Sequence, residues 1–103
     1  MQITLTPMRR DDRLTLAVAG EVVSVNGVAF DLSAIPEGAT LPLAAVDCAW
    51  LASDVERIGG EIHLTLILPH GTHAPAETLF PAPVTVTADG PVPLPPYETE
   101  LPA

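Results

Sequence analysis

His70 and His73, in the run His70-Gly71-Thr72-His73, form with Glu77 downstream and His63 upstream the one cluster of metal-ligand side chains at short spacing in this chain. Two imidazoles and a carboxylate are a donor set that holds zinc with a position open for water, the chemistry of a small metal-dependent enzyme. The segment reads as a loop, however. It lacks the helical i, i+4 spacing that brings two histidines together in zinc hydrolases, and Gly71 loosens it further. Surface histidines in a turn are the plainer reading, and the metal-dependent enzyme built on His63, His70, His73 and Glu77 stands as its rival.

The other reactive side chains are isolated. Cys48 is the single cysteine and has no basic neighbour in the local sequence to favour its thiolate, so it reads as a buried inert thiol. With one cysteine, neither an intrachain disulfide nor a thiolate cluster can form, which fits a reducing compartment. The carboxylate pairs Asp11-Asp12 and Glu98 with Glu100 fall in a link and a tail, where solvation explains them. Trp50 and Tyr97 are the large amphipathic aromatics and are candidate interface anchors, although a tryptophan at a strand start also serves as a plug at the core edge. The chain has no phosphate-cradling glycine loop, no serine nucleophile elbow and no EF-hand loop. No cofactor is called for.

The elements that would position these residues are strands. Side chains alternate across a strand with a period of two, so Ile3 and Leu5, then Leu14, Leu16 and Val18, each define one dry face. These two runs suggest an opening hairpin across Arg9-Arg10-Asp11-Asp12-Arg13. A second hairpin pairs Glu21 to Val25 with Val28 to Leu32 about Asn26-Gly27, a dipeptide suited to the positive φ of a type I′ turn. It sets Val25 opposite Val28 and Val23 opposite Phe30. Leu41 to Asp47 allows a single helical turn at most. Trp50 to Ile58 then pairs with Glu61 to Leu68 about Gly59-Gly60, aligning Val55 with Leu64, Ser53 with Leu66 and Leu51 with Leu68. Pro69 to Pro83 reads as a loop, Val84 to Thr87 as a last strand, and Pro91 to Ala103 as an extended tail whose five prolines cannot donate to a ladder.

At 103 residues there is room for one core, built from Val, Leu, Ile and Ala because hydrophobic residues make up 48% and aromatics only 4%. Thirteen acidic residues face four arginines and no lysine, a formal charge of −9 that repels phosphate backbones and anionic lipid alike. Nucleic acid and membrane surfaces are therefore disfavoured as partners. The opening residues alternate polar and apolar where a secretory signal needs a continuous apolar stretch, so a cytoplasmic protein is expected.

Residues 1 to 9 (Met-Gln-Ile-Thr-Leu-Thr-Pro-Met-Arg), Asn26-Gly27-Val28-Ala29-Phe30-Asp31, Ile35-Pro36-Glu37-Gly38-Ala39, and Leu66-Ile67-Leu68-Pro69-His70-Gly71 followed by Phe80-Pro81-Ala82-Pro83 form a set of stretches. Together they resemble small proteins encoded in bacteriophage and prophage tail gene regions. The resemblance reaches about Pro95 and carries no catalytic motif. What it implies is a setting, namely tail assembly or a virion-associated component, and not a reaction.

The expectation is thus an all-β, mainly antiparallel domain over residues 1–90, with six or seven short strands closed as a small sandwich or partly open barrel, followed by a proline-rich tail over 91–103. The function expected is a non-enzymatic structural or protein-interaction module acting on a protein partner or by self-association. A small-ligand-binding barrel is a further alternative and requires an internal cavity.

Overall fold

Asn26 and Gly27 both adopt positive φ, 50° and 83°, and close the expected type I′ hairpin in the computed structural model, which describes residues 1–97. Among the described residues nine strands run in the order β1 (Gln2–Arg9), β2 (Leu16–Ala19), β3 (Val22–Val25), β4 (Val28–Asp31), β5 (Thr40–Leu41), β6 (Val55–Ile58), β7 (Glu61–His70), β8 (Val84–Thr85) and β9 (Gly90–Pro91). They form a five-stranded sheet, β5-β6-β7-β1-β8, and a four-stranded sheet, β4-β3-β2-β9. The inward positions are the expected ones. Ile3, Leu5, Ile62, Leu64, Leu66, Leu68 and Val55 of one sheet meet Leu16, Val18, Val23 and Val25 of the other in a single buried cluster.

The architecture is a sandwich; the sheets do not close into a barrel. The space left between them, lined by Val23, Val25, Leu64 and Leu66 among others, is about 20 Å³, little more than one water. The interior is therefore filled by side chains, without the cavity that a ligand-holding barrel requires. Among the described residues no helix is long and apolar enough to cross a membrane.

The opening hairpin does not form. β1 and β2 lie in different sheets, and β1 instead runs parallel to β7 over eight residue pairs, from Gln2 opposite His63 to Arg9 opposite His70. β7 has ten residues against the four of β2, so it offers β1 a far longer ladder. Pro7 fits this arrangement. Arg10 N–H donates to the His70 carbonyl, so the even positions of β1 bond toward β7 and Pro7 lies on the opposite edge, where its missing N–H costs nothing. β8 pairs only with Gln2 and Ile3 on that side.

The β6–β7 hairpin keeps its expected register near the turn, with Ile58 opposite Glu61 and Glu56 opposite His63. Beyond Val55 it slips by two residues: Leu51 bridges to Leu66, not Leu68, and Ser53 leaves the ladder. Ser53 explains the slip, because its hydroxyl accepts from Thr65 N–H at 2.9 Å and donates to the Asp54 carbonyl at 2.8 Å, standing in for backbone pairing. The turn itself is clasped from outside. Glu37 accepts from Gly59 N–H at 2.6 Å and Gly60 N–H at 2.7 Å, while Arg57 donates to the Ile35 and Gly60 carbonyls and pairs with Glu21.

Among the described residues helical structure is confined to two turns. Leu43–Ala45 is a 3₁₀ turn within the segment expected to hold one, its first N–H accepted by Asp54 at 2.7 Å. A second turn, α1 (Ala76–Leu79), was not expected in the loop after β7; Pro75 precedes it, Glu77 stands in its first turn and Pro81 stops it. The boundary expected between Gly90 and Pro91 falls inside β9. Pro91 pairs with Ala17, Val92 N–H donates to the Leu16 carbonyl at 2.8 Å, and the Val92 side chain is buried. Residues 91–97 thus complete the second sheet and lie on the body; Glu98 and Glu100 fall outside the described residues.

Candidate functional site

The histidine cluster is not brought together. His63 and His70 stand seven residues apart on one extended strand, about 23 Å at ~3.3 Å per residue, far beyond the span of a shared ion. His63 projects from the outer face of the five-stranded sheet beside Thr4, Ser53 and Glu56. His70 ends β7 and donates through Nδ1 to the Gly71 carbonyl at 2.9 Å. His73 is exposed in the following turn and Glu77 is exposed on α1. Among the described residues no group of three or more histidine, cysteine, aspartate or glutamate side chains is placed to hold a metal ion.

Trp50 and Tyr97, by contrast, are drawn to one end of the sandwich through the arginines of the link between β1 and β2. The Arg10 guanidinium lies 4.1 Å from the centre of the Trp50 ring, and that of Arg13 lies 4.4 Å from the centre of the Tyr97 ring. The Tyr97 hydroxyl donates to the Arg10 carbonyl, and the Tyr97 carbonyl accepts from Gly71 N–H at 2.9 Å. The link, the loop after β7 and the residues after β9 are therefore tied together by one tyrosine. Asp11 and Asp12 pair with Arg9 at 3.0 Å and Arg10 at 3.6 Å, which gives the carboxylate pair a local structural role.

Trp50 also borders an open edge. A groove of about 150 Å³ runs between it, Cys48 and Asp47 on one side and Val28 and Phe30 of β4 on the other. Cys48 is half-buried rather than sealed in the core. In a two-residue hairpin the residues flanking the turn form a hydrogen-bonded pair, so Val28 and Phe30 bond to β3, and the N–H and C=O groups of Ala29 and Asp31 point away from the sheet. Val28 is 57% exposed. Asp31, at the far end of this edge, is held below the usual carboxylate pKa of 3.8 by hydrogen bonds from the Ser33 hydroxyl and then the Ser33 N–H, so it stays charged in mild acid.

The remaining edges are blunted. β5, β8 and β9 have two residues each. Pro42 follows β5, Pro83 precedes β8, Pro91 lies within β9, and the stretch of β1 left uncovered by β8 contains Pro7. β4 alone among these has four residues and no proline. Sequence reasoning singled out Trp50 and Tyr97 as candidate interface anchors but missed Arg10 and Arg13, whose aromatic partners lie 40 and 84 positions away; that three of four arginines fall within Arg9 to Arg13 was the available signal.

Comparison with family models, with curated proteins and with solved structures gives no match for this chain.

Proposed function

We propose that this protein is a non-enzymatic protein-interaction module that accepts an added strand on β4. The observation that supports it is the contrast, among the described residues, between one unprotected edge of four residues, bordered by an apolar groove, and edges elsewhere that are short or interrupted by proline. An incoming strand would pair with Ala29 and Asp31 and lay alternate side chains over Val28, Phe30 and Trp50. Charge selects the occupant. Asp47 lines the groove and Asp31 ends the β4 edge, in a chain carrying −9, so a second copy is repelled while a segment alternating apolar with basic residues is attracted. The tail-assembly setting implied by the resemblance is compatible with such a module but contributes no residue to it.

Trp50 is the sole tryptophan and reports directly on the groove. A peptide of alternating valine and lysine is expected to change its emission, and a valine–glutamate peptide is expected not to. Ala29→Pro removes an outward N–H without touching the β3 ladder, and is expected to weaken the lysine peptide at least tenfold at unchanged urea midpoint. Equal binding to Ala29→Pro and to the unaltered protein would overturn the proposal, as would concentration-dependent dimers that Ala29→Pro dissolves.

A further inference from the structure

Arg13 differs from the other arginines. Arg9, Arg10 and Arg57 are each paired with a carboxylate, whereas none of the described carboxylates lies within ion-pair distance of Arg13, in a chain with thirteen acidic residues. Its guanidinium instead lies over the Tyr97 ring and has no hydrogen-bond partner among the described residues, which leaves its N–H groups available. Beside it opens a cleft of about 200 Å³ whose apolar walls are Leu14, Leu68, Leu94 and Pro95. This cleft shares no lining residue with the groove along β4.

A cation at the mouth of a cleft with aliphatic side chains in its walls sets two requirements on a ligand. It must carry a group that the planar fork can take in two parallel hydrogen bonds, and it must offer a compact apolar body. The volume equals roughly seven water shares of ~30 Å³, the scale of a branched aliphatic or phenyl group. The surrounding charge decides between anions: one guanidinium balances a single negative charge, while a phosphate dianion would meet the repulsion of the acidic chain with half its charge unpaired.

We infer that the Arg13–Tyr97 cleft binds a singly charged, apolar carboxylate, with the carboxylate on the Arg13 guanidinium and the apolar body against Leu14, Leu68 and Leu94. Tyr97 is a positioning residue, since its ring holds the fork and its hydroxyl fixes the ring to the Arg10 carbonyl. Two sources present this chemistry, a free small organic acid and the last residue of a protein chain ending in an apolar side chain.

The test is a titration of the isotope-labelled full chain, followed through the amide signals of Leu14 and Leu68. The probes are N-acetyl-leucine, its neutral methyl amide and 4-methylpentanoate. N-acetyl-leucine is expected to bind at least tenfold more tightly than its amide, and Arg13→Gln to lose that advantage while Arg9→Gln keeps it. Arg13 is exposed, so its replacement leaves the fold intact, and an unchanged far-ultraviolet spectrum verifies this. Equal affinity for N-acetyl-leucine and 4-methylpentanoate assigns the site to free acids; a preference for N-acetyl-leucine assigns it to chain termini. Acid and amide binding alike, an unaffected Arg13→Gln, or no shift with either acid overturns the inference.

Discussion

Single side chains hold this molecule at points where the backbone ladder fails. Glu37 and Arg57 tie the Gly59-Gly60 turn to the segment before β5, and Asn26 accepts from Thr15 N–H at 2.7 Å to fix the other hairpin to β2. Asp31 is the one that titrates usefully. Its folded pKa lies below 3.8, so the stabilisation it contributes is present above 3.8 and is lost as pH falls through the folded value. Ser33→Ala removes the larger cause, the hydroxyl hydrogen bond, and leaves the N–H of residue 33 in place. The Asp31 carboxyl carbon, followed by nuclear magnetic resonance, is therefore expected to titrate at higher pH in Ser33→Ala than in the unaltered protein. An unmoved midpoint would mean that the hydroxyl does not hold the carboxylate. Because Asp31 closes the open edge of β4, the same variant should bind a basic strand peptide as the unaltered protein does at neutral pH, and more weakly only in acid strong enough to protonate Asp31.

Elements whose partners are adjacent in sequence were legible, and those with distant partners were not. The β3–β4 hairpin follows from period-two alternation about Asn26-Gly27, and the turn end of β6–β7 from the same pattern about Gly59-Gly60. Nothing local could show that β1 would pair with β7 rather than β2, because that choice depends on ladder length sixty residues away. Nor could alternation show the slip at Ser53, where a hydroxyl competes with the backbone for the Thr65 amide. The metal cluster failed for a related reason: short spacing brings histidines together in a helix, whereas an extended strand drives His63 and His70 apart. Ser53→Ala tests the slip. It leaves the Thr65 amide without its acceptor, and a half-buried unpaired amide costs about 1–2 kcal/mol, so the urea midpoint should fall accordingly. An unchanged midpoint would show that water or a re-registered ladder replaces the hydroxyl at no cost.

At the scale of the whole molecule, residues 91–97 are part of the sandwich. Val92 is buried at 8% exposure beside Leu16, Leu94 packs on the core, and the Pro96 carbonyl accepts from the hydroxyl of Thr78, which is fully buried, at 2.6 Å. A chain ending at Gly90 loses these contacts together with both hydrogen bonds of Tyr97, whereas a chain ending at Tyr97 keeps every one of them. Withdrawing Val92 from the core costs about 1.5–3 kcal/mol, and a buried hydroxyl left without its acceptor about 1–3 kcal/mol more. The shorter chain should therefore unfold at markedly lower urea than the chain ending at Tyr97, with a loss of at least about 2.5 kcal/mol. Coincident unfolding curves would mean that residues 91–97 rest on the body without supporting it. The expected loss changes how truncation bears on function: a change of oligomeric state on removing the tail at Gly90 would report an unsealed core and a bared β2 edge, not the removal of an assembly arm. Binding at β4 must therefore be tested by substitutions within β4, and the cleft at Arg13 by substitutions at its mouth, in the full chain.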